Sequence, residues 1–436
     1  MLSGWGRFPK SDEQHRAVLR AQVDAAPLLA AESGVIARGN GRSYGDASLG
    51  VTGIVDMRRL DRLRAFDPET GRLTCEAGLL LSDLLEFAVP RGFFPPVTPG
   101  TKFVTIGGMI ASDVHGKNHH GAGSFGRHIE SLELLTADGR MRTCSPTIEP
   151  ELFQATCGGM GLTGIVLAAT FRLVRIETAL IRQETLAAAN LDEAIRLFET
   201  SGDWTYTVAW IDCLARGAKL GRSLIYRGEH ATRAEVSDAG LAVPQHRRKR
   251  VPVDLPSALL NRWSVGAFNG LYYRRGRVGT RFVDYDTYFY PLDAILEWNR
   301  IYGRAGFVQY QCVLPTAASR EGLGQLLKQI ATSGRASFLA VLKLFGPGDA
   351  GYLSFPMEGY TLALDFPADS VTFSLLRRLD LIVAAHGGRI YLTKDACSSP
   401  SLLRTGYPRL EQFRAVRAAV DPDGKFASLL SKRLDL

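Results

Sequence analysis

The first stretch whose residue types suit chemistry is Arg38-Gly39-Asn40-Gly41-Arg42-Ser43-Tyr44-Gly45-Asp46, glycines interleaved with hydrogen-bond donors. Glycine puts no Cβ in the way, so successive backbone N–H groups can converge on a diphosphate. The bland alternative is a surface turn that binds nothing. A second run, Gly159-Met160-Gly161-Leu162-Thr163-Gly164, spells the dinucleotide fingerprint GxGxxG. That fingerprint needs a strand before it and a helix after it, whereas here the helix-like ELFQAT precedes and an apolar strand follows. The context argues against a nicotinamide site, and the glycines suit a chain passing close beneath a flat cofactor.

His115, His119, His120 and His128 are the densest histidine group, but no carboxylate or cysteine stands beside them at ligand spacing, so no metal is expected. His115, next to Lys117 after a small-residue stretch, is the one placed near a cofactor ring. Lys394, in Tyr391-Leu392-Thr393-Lys394-Asp395, follows a predicted strand. On residue type alone it reads as a solvated or salt-bridged lysine.

The elements that must position these residues follow from periodicity. Val35 to Ala37 and Gly53 to Met57 read as strands flanking the first loop, with no helix after it. Leu79 to Val89 has helical spacing, Gly107 to Val114 reads as a short helix, and Ser131 to Ala137 and Gly164 to Val174 as buried strands. Beyond residue 176, alternating strands (206–211, 307–313, 338–345, 360–366) intersperse with amphipathic helices such as 320–332. From 242 to 277 the composition turns basic and aromatic without clear period, including His246-Arg247-Arg248-Lys249-Arg250, and is expected to be a mobile surface insertion. From 389 to 436 a strand, a loop and a helix are expected to return to the first domain.

At 436 residues the chain exceeds one hydrophobic core, so two domains of about 200 residues each are expected. A net charge of +8 suits phosphate or anionic lipid and does not by itself indicate nucleic acid. The six cysteines form no CxxC pair, which disfavours a disulfide framework and fits a reducing compartment. The N-terminus lacks an apolar signal region and no stretch is long enough to span a bilayer, so the expected location is cytoplasmic or peripheral to a membrane.

RGNGRSYGD, TPGTKFVTIGGMIASDVHGKNHHGAGSFG, GGMGLTGI and YLTKD, in this order, resemble the vanillyl-alcohol-oxidase (PCMH) type of FAD flavoproteins, and within it the decaprenylphosphoryl-ribose 2-oxidase branch. QYQCVLP at 309–315, FLAVLKLFGPG at 338–348 and the ending DPDGKFASLLSKRLDL extend the likeness over nearly the whole chain. The resemblance implies an α+β, two-domain fold: an FAD-binding domain over 1–176, a central antiparallel-sheet substrate domain covered by helices over 177–388, and a C-terminal segment, 389–436, returning to the FAD domain. The cofactor loops it implies are 37–47 (Ala37 to Ala47), 105–108 (Thr105, Ile106, Gly107, Gly108) and 112–115 (Ser112, Asp113, Val114, His115), with Gly100, Ile165 and Tyr391 adding contacts.

By the same likeness the activity is oxidation of the 2-hydroxyl of a polyprenylphosphoryl ribose, the first half of an epimerisation to arabinose in arabinan and cell-wall biosynthesis. The hydride goes to flavin N5, oxygen or a membrane quinone re-oxidises the flavin, and a short-chain reductase completes the epimerisation. Lys394, with His115 and Tyr44, is implied at the reacting centre, where its ammonium would orient the hydroxyl or offset negative charge on reduced flavin. Lys117, Trp210, Gln309, Gln311, Lys343 and Phe345 are implied in the pocket, with Thr361 and Ala363 at substrate-facing positions. Related flavoproteins often tether the flavin through a histidine in the first loop. Tyr44 and no histidine lies here, so noncovalent FAD is expected. Thr361, Ala363 and Phe289 depart from the branch's asparagine, cysteine and tyrosine, which bears on sugar and lipid specificity. An alditol or aldonolactone oxidase using oxygen is the alternative. A flavin-free scaffold or nucleotide-binding subunit lies further off. A lipid substrate gives the basic insertion a role: residues 246–250, beside Leu255, Leu259 and Leu260, suit a membrane surface.

Overall fold

The computed structural model describes residues 1–436 except 12–14, 238–239, 257–258 and 277. In chain order the first half contains β1 (His15–Val18), β2 (Val35–Arg38), β3 (Gly53–Asp56), β4 (Leu63–Phe66), β5 (Arg72–Glu76), α1 (Leu81–Ala88), α2 (Ile106–Ala111), β6 (Ile129–Leu135), β7 (Met141–Cys144), α3 (Pro150–Thr156) and β8 (Ile165–Arg172). Strands β1, β3 and β2 make a small parallel sheet, and β7, β6, β8, β5 and β4 an antiparallel one. Strand β8 is apolar at nearly every position because both its faces are covered. The GxGxxG run lies between α3 and β8, in the order helix, loop, strand, which excludes the nicotinamide site.

The second half is built on one eight-stranded antiparallel sheet. Its elements are β9 (Leu180–Ala188), α4 (Leu191–Glu199), β10 (Tyr206–Ile211), β11 (Ser223–His230), α5 (Arg262–Arg275), β12 (Gly279–Asp284), β13 (Phe307–Pro315), α6 (Thr316–Ser333), β14 (Ala340–Phe345), β15 (Gly359–Pro367), α7 (Ser370–Ala385) and β16 (Arg389–Ile390). The strand order is β12-β9-β11-β10-β14-β15-β13-β16. Alternation along the strands divides its residues between two faces. Cys312, Leu342, Leu362 and Leu364 pack against α4, α6 and α7 through Phe198, Leu327, Ile330, Leu375 and Leu379. Each such buried side chain is worth about 1.5–3 kcal/mol, so this face fixes the sheet and leaves the opposite one for function.

Three helices, α8 (Pro400–Gly406), α9 (Leu410–Val420) and α10 (Leu429–Leu434), follow β16. Phe426 bridges β2, and Arg433 bonds both Asp46, at 2.8 and 2.9 Å, and Asp395, at 2.9 Å. The C-terminal segment thus returns to the first unit, with two corrections. It holds three helices where one is expected, and Arg389–Ile390 still belongs to the substrate sheet, hydrogen-bonded to β13.

In the region 242–277, of which 257–258 and 277 lie outside the described residues, regular elements stand where no clear period is expected. Lys249–Arg250 pair with Ile295–Leu296, and α5 occupies fourteen residues, opened by Asn261, whose side chain accepts from Trp263 and Ser264. The periodicity is hidden because its buried positions include Asn269 and its outward ones Trp263, Phe268 and Leu271. Among the described residues no helix is long and apolar enough to cross a membrane.

Candidate active site

The first glycine-rich loop, between β2 and β3, is held from two sides. A Cβ on Gly39 would overlap the Thr105 hydroxyl, which caps α2 by accepting from Gly108 N at 3.2 Å. A Cβ on Gly45 would overlap the Asp395 carbonyl oxygen, and Tyr44 N donates to Thr393 O at 3.1 Å. Asn40 donates to Phe103 O at 2.9 Å, and Gly41 takes a φ of +64°, the left-handed region that glycine enters without strain. The N–H groups of Gly39, Asn40, Gly41, Arg42 and Ser43 donate to no other group among the described residues.

Not every expected cofactor residue offers its side chain to that space. Arg38 bonds Ser3 O and Ser48, Ser43 Oγ meets Ser48 Oγ at 2.8 Å, and Asp46 holds Arg433. Ala47, Ile106 and Ile165 have their side chains in cores. Arg42 lies over Trp5 at 4.0 Å, and its Nε is buried without a partner. Gly107 N is bonded to Ala77 O, while around Gly100 a Cβ would meet nothing within 4 Å.

Loop 112–115 continues the wall. Asp113, at a φ of +38°, is buried, accepts from Gly126 N at 2.9 Å and from Ser354 Oγ, and burial pushes its carboxyl up to about 6. Ser112 O accepts from Tyr391 Oη at 2.9 Å. His115 is boxed by Phe345, Phe355 and Tyr391 at 4.8, 5.5 and 5.0 Å. Its Nε2 lies 3.0 Å from Gln311 Nε2, which sets it as the acceptor, and its Nδ1 is buried without a partner. Burial, then Lys343, lowers its pKa well below the usual range, so the ring is neutral. Val114, also buried, packs in the first unit's core.

The open face of the large sheet forms the opposite wall. Register places Trp210, Val341, Ala363 and Gln311 in one row across β10, β14, β15 and β13, and Lys343, Thr361 and Val313 in a neighbouring row. Gln311 also reaches Thr361 Oγ1 at 3.3 Å. Trp210 sits at the far end, donating to Phe338 O at 3.1 Å. The row therefore runs away from His115, and Trp210 lies apart from the other expected pocket residues.

Three half-buried lysines line this space. Burial and then Lys343 bring Lys117 down to about 7, and burial brings Lys343 down to about 8. Lys117 donates to Tyr288 O and lies over the Tyr288 ring at 4.1 Å. Lys394 is the residue that sequence alone misjudges as solvated: it is half-buried, with Nζ 3.8 Å above the Tyr44 ring. Burial lowers its proton affinity, Asp365 opposes that and Lys343 adds to it.

Asp365 is the residue that sequence reasoning misses. It is buried, Gln309 donates to its Oδ1 at 2.6 Å, and its Oδ2 has no partner among the described residues. Burial raises its pKa. The signal was the alternation Thr361-x-Ala363-x-Asp365, which places all three on the open face.

The other histidines serve structure: His119 lies 3.6 Å from Asp349, His120 bonds Trp204 O and His128 bonds Ala122 O. Phe289 is buried among Phe94, Tyr206 and Tyr288, a ring core with Lys117 at its edge.

Unpaired loop N–H groups, glycines whose Cβ would collide and a neutral His115 with a free Nδ1 fit a dinucleotide whose flat ring lies between the two walls. Residues 8–145 match an FAD binding domain model, and 364–434 match the model for D-arabinono-1,4-lactone oxidase. The chain is 40% identical to decaprenylphosphoryl-beta-D-ribose oxidase of Mycolicibacterium smegmatis, over 100% of this chain and 97% of that protein. It is 39% identical to an uncharacterised protein of Streptomyces coelicolor, over 82% of this chain and 100% of that one. D-arabinono-1,4-lactone oxidase of Yarrowia lipolytica is 28% identical, over 38% of this chain and 31% of that protein.

Proposed function

The chain belongs to the decaprenylphosphoryl-β-D-ribose oxidase family of FAD-dependent oxidoreductases, and on that premise we propose that it oxidises the 2-hydroxyl of a polyprenylphosphoryl ribose to the 2-keto sugar. The observation that carries the substrate class is the half-buried pair Lys117 and Lys343 beside Lys394. Lys117 and Lys343 have no carboxylate partner among the described residues, and a half-buried ammonium without one calls for an anion. A phosphate ester supplies one; a free aldonolactone or alditol does not. The lactone-oxidase alternative draws on the 364–434 match, which contains Lys394 but neither Lys117 nor Lys343.

Bound FAD supplies the two-electron acceptor for the hydride leaving C2. Gly39 to Ser43 would hold its diphosphate through backbone N–H groups that have no other partner among the described residues, noncovalently. Lys394 faces the reacting carbon, and its depressed proton affinity leaves an amine that takes the hydroxyl proton as the carbonyl forms. Asp365, fixed by Gln309, raises the proton affinity of that amine. Tyr44 forms the floor beneath Lys394, and His115 with Gln311 supplies a neutral polar edge that admits no competing acid. The enclosing rings Phe345, Phe355 and Tyr391 exclude water.

A short-chain reductase to finish the epimerisation, oxygen or a quinone to re-oxidise the flavin, and work at a membrane surface complete the reading. The reductase rests on the family resemblance, the acceptor is one of two that suit a reduced flavin, and the membrane surface follows from a lipid-linked substrate. The test is anaerobic bleaching of the flavin absorbance by farnesylphosphoryl-ribose against xylitol and gulonolactone. Bleaching by the phosphoryl ribose is expected; bleaching only by the free polyol or lactone overturns the substrate.

A further inference from the structure

The open face of the large sheet does not end at Trp210. Register carries the same face onward through Val208, Tyr226 and Thr185 to Arg281, since Val208 pairs Tyr226, Tyr226 pairs Thr185, and Gln183, two residues from Thr185, pairs Arg281. Over this part of the sheet lies α5, and between them runs a groove of about 360 Å³. Its floor is Thr185, Tyr226 and Arg281; its roof is Phe268, Leu271 and Tyr272, with Arg275 beside them. Tyr272 touches the Trp210 ring at 4.7 Å, so the groove begins where the substrate row ends.

The roof helix is inverted relative to an ordinary surface helix. Val265 and Asn269 face inward, Asn269 donating to Asp212 Oδ1 at 2.8 Å, whereas Trp263 is 71% exposed, Leu271 48% and Phe268 44%. Arg262, Arg274 and Arg275 lie among these apolar side chains. From 242 to 283 the sequence holds nine lysines and arginines against a single acidic residue, Asp254, which pairs with Arg7. An apolar roof of Phe268, Leu271 and Tyr272 over a floor that carries Arg281, with Arg275 beside it, fits a long apolar chain that ends at an anionic lipid surface.

We propose that this groove receives the isoprenoid chain of the phosphorylated lipid substrate, and that α5 is the edge across which the chain enters from the membrane. The inference rests on the function proposed above and deepens it, naming where the tail lies when the sugar stands at Lys394. It also moves the lipid-facing surface away from residues 246–250, where Arg248 lies over Phe103 at 5.0 Å and Lys249–Arg250 are paired with another strand.

The test uses the FAD-loaded protein and two probes without a sugar, farnesyl phosphate and dimethylallyl phosphate, with binding measured calorimetrically. The wild type is expected to bind the longer chain at least about tenfold tighter, since each buried methylene adds to affinity. Leu271→Arg, at a half-exposed position tolerant of polarity, is expected to bring the two probes within about twofold of each other by weakening only the longer one. Leu271→Ser is expected to do the same to a smaller degree. No chain-length preference in the wild type, an unchanged preference in Leu271→Arg, or equal weakening of both probes overturns the groove. Because neither probe can be oxidised at a sugar, failure of farnesylphosphoryl-ribose to bleach the flavin counts against the function alone and leaves this binding result to stand by itself.

Discussion

The two walls of the site are made of different material. The cofactor wall is backbone: loop 39–43 presents N–H groups, and most side chains around it, Arg38, Asp46 and Ile165 among them, are bonded or packed into the protein. The facing wall is side chain, Lys343 and Asp365 on the sheet with Lys117 and Lys394 on loops beside it, and their proton affinities are displaced. Backbone recognition depends on where the chain goes and survives changes of side chain. Side-chain recognition depends on identity and survives small movements of the chain. Cofactor binding and turnover are therefore separable by mutation.

Five measurements can break or sharpen that contrast. Lys394→Ala is expected to lower turnover by about 10³-fold while bound flavin, measured by absorbance, stays at the wild-type level. Loss of flavin instead would make the sheet wall part of the cradle. Gly45→Ala is expected to act the opposite way, forcing loop 37–47 off the Asp395 carbonyl, costing about 3 kcal/mol in denaturant unfolding and emptying the flavin site. A flavin-replete Gly45→Ala with only kcat changed would refute a cradle defined by backbone path.

Asp365→Asn keeps the shape and removes the charge that raises the proton affinity of Lys394. If the neutral amine is the working form, the ascending limb of kcat against pH moves down by about one unit. An unmoved limb removes Asp365 from the chemistry. The smallest effect concerns binding. Lys117 and Lys343, brought down to about 7 and about 8, lose their charge as pH rises through those values. KM for a phosphorylated ribose is therefore expected to climb about three- to tenfold between about pH 7 and 9, with no such climb for an uncharged polyol. In the same range, denaturation of the protein should release all of its flavin into the supernatant of a centrifugal filter. Retained yellow colour would contradict noncovalent binding.

Much of the cofactor wall was legible because its signals are local. Apolar Val35 to Ala37, glycines that admit a close approach, and an apolar Ile165 to Phe171 each state their conformation within a few residues. The order of α3, glycines and β8 around residue 160 was legible for the same reason. Lys394 was not, because the groups around it, Tyr44, Lys343 and Asp365, come from far away along the chain. Asp365 sits inside Leu362-x-Leu364-x-Phe366, where a carboxylate reads as an interruption until the facing Gln309 is known. Helix α5 was hidden by the inversion of its faces, since a periodicity rule expects Asn269 outside and Trp263 inside. The expected boundary near 389 falls inside a hydrogen-bonded strand pair, since β16 joins β13.

Arg433 has a consequence for how the molecule comes into being. It joins Asp46 to Asp395 across 387 and 38 residues of chain, and both carboxylates are buried. Burial alone raises the proton affinity of Asp46, and the guanidinium opposes it. During synthesis the first glycine loop leaves the ribosome early and must wait, its carboxylate unanswered, until nearly all of the remaining chain has followed. The flavin site is thus completed last although its sequence is translated first, and a nascent chain stalled anywhere in the substrate domain carries the loop but not the latch.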